Sequence, residues 1–92
     1  MKHTPGPWKA YIDDKHYSYI YATRDRAEFA IAEIYVTTKK PELSANARLI
    51  AAAPDLYDAA HNLISVCLTY GVNPDHPSIV HAYNAIQKAE GK

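Results

Sequence analysis

Two periodicities divide this chain. From Trp8 to Val36 apolar and polar positions alternate, and beyond Glu42 apolar residues recur every three or four positions. Trp8, Ala10 and Ile12 fall on one side of a first strand, with Lys9 and Tyr11 opposite. Asp13-Asp14-Lys15 reads as a turn. From His16 to Ala22, Tyr17, Tyr19 and Tyr21 share one face and Ser18, Ile20 and Ala22 the other, an aromatic period-two pattern that predicts a strand. Thr23 to Arg26 is polar and reads as a second turn. Phe29 to Val36 is the third strand; both of its faces are mostly apolar, which predicts that it is the most buried and the central one. Three strands joined by short turns predict an antiparallel meander, and so small a sheet needs cover on one face.

The cover is predicted from the second half. Thr37 to Glu42 is a polar connection containing Pro41. A helix follows around Arg48, with Leu43, part of Leu49, Ile50 and Ala53 turned to the core. Pro54 removes a donor and clashes with the preceding turn, so this helix ends or kinks near Ala53. Proline is welcome as the first residue of a new helix. That second helix runs to about Tyr70 on a stripe of Leu56, Ala60, Leu63, Cys67 and Tyr70, with Gly71 as its stop. A loop from Asn73 to Pro77 leads to a last helix, about Ser78 to Ala89, with Ile79, Val80, Tyr83, Ile86 and Ala89 as its stripe. The expected fold is α+β, in the order β-β-β-α-α-α. It forms one domain with an arm over 1–7, a meander over 8–36 and a helical part over 42–90. Thr4 and Gly6 each precede a proline, so the arm is expected to run extended with few internal hydrogen bonds. Trp8 is expected to be largely buried and to tether it.

Composition narrows the function. With 92 residues a single core is marginal, and self-association is a common remedy. An apolar share of 48% and the long helical stripes predict a homo-oligomer, most simply a symmetric dimer. Lys plus Arg is 10 and Asp plus Glu is 10, so the chain has no basic field to hold duplex nucleic acid. No stretch reads as a signal peptide or membrane span, which predicts a cytoplasmic protein. Cys67 is the only cysteine and allows no internal disulfide. His76 and His81 are five apart, on different helical faces, and the other histidines have no partner at ligand spacing. No glycine-rich phosphate loop or nucleophile motif appears. The reading is a non-enzyme with no metal, no cofactor and no catalytic residue.

Two features remain as binding candidates. On a helix, Arg48 has Ser44, Ala45, Ala51 and Ala52 as its neighbours, all small. A guanidinium on such a cleared platform is suited to stack on a ring or fork onto a phosphate; the plainer reading is a solvated arginine on a closely packed helix. Eight tyrosines and one tryptophan form the second feature. They fit a small amphipathic core, a stacking surface for planar rings to which Arg48 adds charge, or a protein interface, and the sequence leaves all three open.

The opening His3-Thr4-Pro5-Gly6-Pro7-Trp8, followed by Ala45-Asn46-Ala47-Arg48-Leu49-Ile50-Ala51-Ala52-Ala53-Pro54-Asp55-Leu56, resembles a large group of small phage and prophage proteins. The two motifs mark the group without specifying an activity. Small phage proteins of similar size and build include sponges for nucleotide immune signals, of the anti-CBASS and anti-Thoeris type. The resemblance implies a non-enzymatic phage protein in the host bacterial cytoplasm that sequesters a cyclic oligonucleotide or a cyclic ADP-ribose-type ligand. Arg48 would contact phosphate and Asn46 a base or backbone group, and His3, Thr4 and Trp8 would close the site if the arm folds back. The alternative is a phage adaptor that inhibits a host protein through a tyrosine-rich surface. A small nucleotide-degrading enzyme is the third reading.

Overall fold

The computed structural model describes residues 3–12, 17–35 and 40–92. The turn expected at Asp13-Asp14-Lys15 and the first part of the connection expected over Thr37 to Glu42 lie outside the described residues; its last three, Lys40, Pro41 and Glu42, are instead the first turn of a helix, where a proline is tolerated. The chain falls into two compact units, Lys2–Asp55 and Leu56–Lys92. The first holds strands β1 (Lys9–Ile12), β2 (Tyr17–Arg24) and β3 (Ala27–Tyr35), helix α1 (Lys40–Ala51) and the opening of α2 (Ala53–Thr69). The second holds the rest of α2 and α3 (Pro77–Ala89). The order is β-β-β-α-α-α, the expected α+β arrangement, and the strands form an antiparallel sheet in the order β1-β2-β3.

Within the first unit, β2 rather than β3 is central. Apolar content on both faces of β3 had pointed the other way. It fails because Phe29 sits at a tapering edge, 36% exposed, while the side chains of β2 on one face are sealed. Ser18, Ile20 and Ala22 are buried there, and α1 packs across all three strands with Leu43 and Ala47 buried, one helical turn apart. Ile20 pairs with Ala10 on one side and Ala32 on the other, so small neighbours leave room for the helix backbone to come close. A bulge between Ile20 and Tyr21 slips the β2–β3 pairing by one residue: Ile20 faces Ala32, but Tyr21 faces Ala30. The alternation read along β3 therefore breaks at Ile31, and Phe29 lands beside Ala22. β2 and β3 meet through Asp25 and Arg26 at φ 52° and 68°, the two left-handed positions of a type I′ hairpin.

Pro54 acts as expected. Ala52 donates to the carbonyl of Arg48, α1 ends at Ala51, and α2 starts afresh at Ala53. Pro54 itself is buried, whereas Leu49 and Ala53, expected to reach the core, are exposed. Leu43 and Ala47 already fill the narrow strip of α1 that meets the sheet, and Leu49 lies well round the helix from both.

In the second unit, α2 and α3 are tied at their far ends by Tyr57, whose hydroxyl donates to Glu90 Oε2 at 2.7 Å. Both helices stop the same way. Gly71 (φ 89°) and Gly91 (φ 81°) take the left-handed conformation, and the next amides, Val72 and Lys92, reach back to the carbonyls of Cys67 and Gln87. Pro77 opens α3, and His76 caps it by accepting from the Ser78 amide at 3.1 Å through Nδ1. The expected stripes are only half used. Ala60 and Cys67 are half-buried and Ile86 is buried, but Leu56, Leu63, Tyr70, Val80, Tyr83 and Ala89 are exposed. One partner helix covers only part of a broad apolar arc.

Candidate functional site

The sheet has one covered face and one open face. Because β2 alternates, burying Ser18, Ile20 and Ala22 beneath α1 puts Tyr19 and Tyr21 on the other side. The register carries Tyr11 of β1 opposite Tyr19 and Lys9 opposite Tyr21, while Glu33 of β3 lies opposite Tyr19. The rings form a row. Tyr11 and Tyr19 stack with centroids 5.0 Å apart and planes 25° from parallel, and Tyr19 and Tyr21 follow at 5.8 Å and 51°. Cross-strand aromatic pairs of this kind stiffen a sheet and leave ring faces and hydroxyls at its surface. Tyr11 is 50% exposed and the other two are half-buried. Beside them Tyr19, Tyr21, Glu28, Phe29 and Ala30 line a shallow pocket of about 180 Å³. Tyr11, Tyr19 and Tyr21 thus lie on the face of the sheet opposite α1, with Tyr11 the most open to solvent.

The arm and the helix junction, the two sequence motifs, meet in the same unit. A Cβ placed on Gly6 would lie 3.1 Å from Cβ of Pro54, so the arm passes against the proline ring as closely as a glycine permits. The arm is also less extended than its prolines imply. The Trp8 indole N–H donates to the Thr4 carbonyl at 3.0 Å, His3 meets Trp8 edge-on at 6.2 Å, and the Gly6–Pro7 peptide is cis. Trp8 is half-buried rather than largely buried, and its ring closes over its own arm. His3, Thr4 and Trp8 are thus brought together, beside the α1–α2 junction.

Arg48 and Asn46 are both exposed on α1. Two residues apart on a helix, they diverge by about 200° around its axis, on opposite flanks of the strip formed by Leu43 and Ala47. Arg48 makes no ion pair with the described residues, and its neighbours Ser44, Ala45, Ala51 and Ala52 leave it clear. It stands on the helix that covers one face of the sheet, whereas the tyrosine row occupies the other face. Arg48 therefore adds no charge to the aromatic row. The alternation of β2 was readable in advance, but which of its faces the helix covers was not.

Glu90, in the second unit, has a shifted acidity. The Tyr57 hydroxyl bonded to it holds its carboxyl below the ordinary range, while the same hydrogen bond raises the Tyr57 phenol. Among the described residues no three His, Cys, Asp or Glu side chains gather as a metal would require, and no helix is long and apolar enough to cross a membrane.

Residues 1–92, the whole chain, match the family described as Salmonella phage P22 protein Y8K6, and the protein belongs to that phage family. Comparisons with curated proteins and with solved structures give no match.

Proposed function

We propose that this phage protein works by binding rather than catalysis, and that the open, tyrosine-lined sheet face is a docking surface for a host protein in the bacterial cytoplasm. The supporting observation is the row of Tyr11, Tyr19 and Tyr21, stacked and facing away from α1. Tyrosine is enriched at protein interfaces because it offers a large rigid contact with a hydroxyl at its tip and little entropy to lose. Charges of both signs border the row, Lys9 opposite Tyr21 and Glu33 opposite Tyr19. The faces of the rings suit a partner that presents arginine or lysine over them.

The test places a photo-crosslinking residue at Tyr11 and irradiates the protein inside host cells. The expected result is a defined host protein captured from position 11 and not from Asn62 on the other unit. With that protein purified, Tyr19→Ala should weaken binding roughly thirtyfold, the scale of an interface hot spot. Capture that is equal from both positions, or binding unchanged by Tyr19→Ala, would count against the tyrosine face.

A second reading is favoured by Arg48, exposed on its platform of small residues: the protein sequesters a cyclic oligonucleotide or a cyclic ADP-ribose-type signal, with Arg48 on phosphate and Asn46, His3, Thr4 and Trp8 as candidate contacts. Calorimetry against such nucleotides tests it. A charge-assisted contact contributes about 1.5–3 kcal/mol, so Arg48→Ala should weaken binding tenfold or more with the fold intact. If no nucleotide binds the wild-type protein, this reading falls and the first is untouched.

A further inference from the structure

In the second unit one side of α2 faces α3, where Ile64 and Leu68 line a pocket with Ile79, Val80 and Tyr83. Ala60, Ile64 and Cys67 are half-buried, while the next face of the same helix is bare. That face is Leu56, Ala59, Leu63, Val66 and Tyr70, spaced three, four, three and four, the repeat with which helices pack on one another along a seam. Leu56 is 54% exposed, Leu63 65%, Val66 52% and Tyr70 84%. No acidic or basic side chain interrupts the seam, and Asp55, Asp58 and Asn62 lie on its far flank. A monomer rarely exposes so continuous an apolar strip.

We infer that this seam is the contact between two copies of the protein, α2 against α2, running antiparallel about a two-fold axis at Leu63. Identity of partner follows from self-complementarity. In an antiparallel pair centred on Leu63, Leu56 faces Tyr70 of the second copy and Ala59 falls within one residue of Val66, so each small side chain meets a larger one. A parallel pair would set Tyr70 on Tyr70 and Ala59 on Ala59, crowding one layer and leaving a hole in the other. Antiparallel helices also oppose their dipoles favourably. The four large side chains bring on the order of 500 Å² per copy, about 1,000 Å² in the pair, which reaches the lower limit of a specific interface. The surface differs from the tyrosine face, so the inference stands independently of the proposed function.

Sedimentation and light scattering of the full chain at micromolar concentration should give twice the 10.3 kDa of one chain. Leu63→Asp should return it to a single chain, with an unchanged far-ultraviolet spectrum because Leu63 contributes little to the fold of its own unit. Register is read by disulfide trapping in a Cys67→Ala background. Leu63→Cys, on the axis, should cross-link to its own counterpart on mild oxidation, and Leu56→Cys should not. A wild-type mass of one chain, a dimer that survives Leu63→Asp, or no cross-link from Leu63→Cys would overturn the interface. Equal cross-linking of both cysteines would overturn the antiparallel arrangement.

Discussion

Ser18 offers the sharpest test of how the first unit is held together. Its side chain is 0% exposed, on the face of β2 sealed by α1, and its register partners are Ile12 on β1 and Ile34 on β3. The hydroxyl has no hydrogen-bond partner among the described residues. An unsatisfied buried donor costs about 1–3 kcal/mol relative to the same group in water. Ser18→Ala keeps the Cβ, removes the oxygen, and leaves a gap smaller than a methyl group, whose lost dispersion contacts amount to a few tenths of a kcal/mol. The net expectation is a gain of about 1 kcal/mol. For a unit this small that corresponds to roughly 4–8 °C in Tm, or about 1 M in urea midpoint at an unchanged slope. Trp8 is the chain's only tryptophan and lies in the same unit, so its fluorescence reports this unfolding selectively. Ser18→Val is the companion variant. It adds bulk where α1 already presses on the sheet and should cost about 1–3 kcal/mol. A Ser18→Ala protein destabilised by 1 kcal/mol or more would refute the reasoning, because it would mean that the hydroxyl is bonded, for instance to a trapped water.

Three further outcomes are expected. Trp8→Ala, which has no tryptophan left and is followed by circular dichroism instead, should destabilise the first unit by about 2 kcal/mol, less than the roughly 3–5 kcal/mol of a fully buried aromatic, because the ring is half-buried. Arg26→Gly, which relieves a non-glycine residue at φ 68°, should stabilise the β2–β3 hairpin by about 1 kcal/mol; a loss of stability would show that the Arg26 side chain holds the turn. Tyr57→Phe should raise the Glu90 pKa toward the ordinary carboxylate value in an NMR titration. The folded-state Glu90 pKa is depressed, so the Tyr57–Glu90 tie contributes above the unfolded carboxylate range and is lost as pH falls through the folded value. The Tyr57 pKa is raised, so on the alkaline side the tie persists until pH passes the folded phenol value.

Much of this architecture is determined locally and was legible in the sequence. Alternating tyrosines along Tyr17 to Tyr21 favour a strand with an aromatic face, Pro54 ends one helix and fits the first turn of the next because it lacks an amide proton, and glycines at 71 and 91 can turn left-handed where other residues resist. Other features depend on which surfaces meet, and no local pattern contains that. The β2–β3 bulge shifts Phe29 out of the alternation expected for β3, and the sheet order places β2 at the centre although β3 is as apolar. The partition of the candidate sites is of the same kind. His3, Thr4 and Trp8 come together through the Trp8–Thr4 hydrogen bond and the His3–Trp8 ring contact, whereas Arg48 and the tyrosine row are parted by the sheet itself, since α1 covers the face the tyrosines do not. Periodicity says that a strand has two faces and a helix an apolar arc; only packing selects which face is covered and how much of the arc a single neighbouring helix can hide.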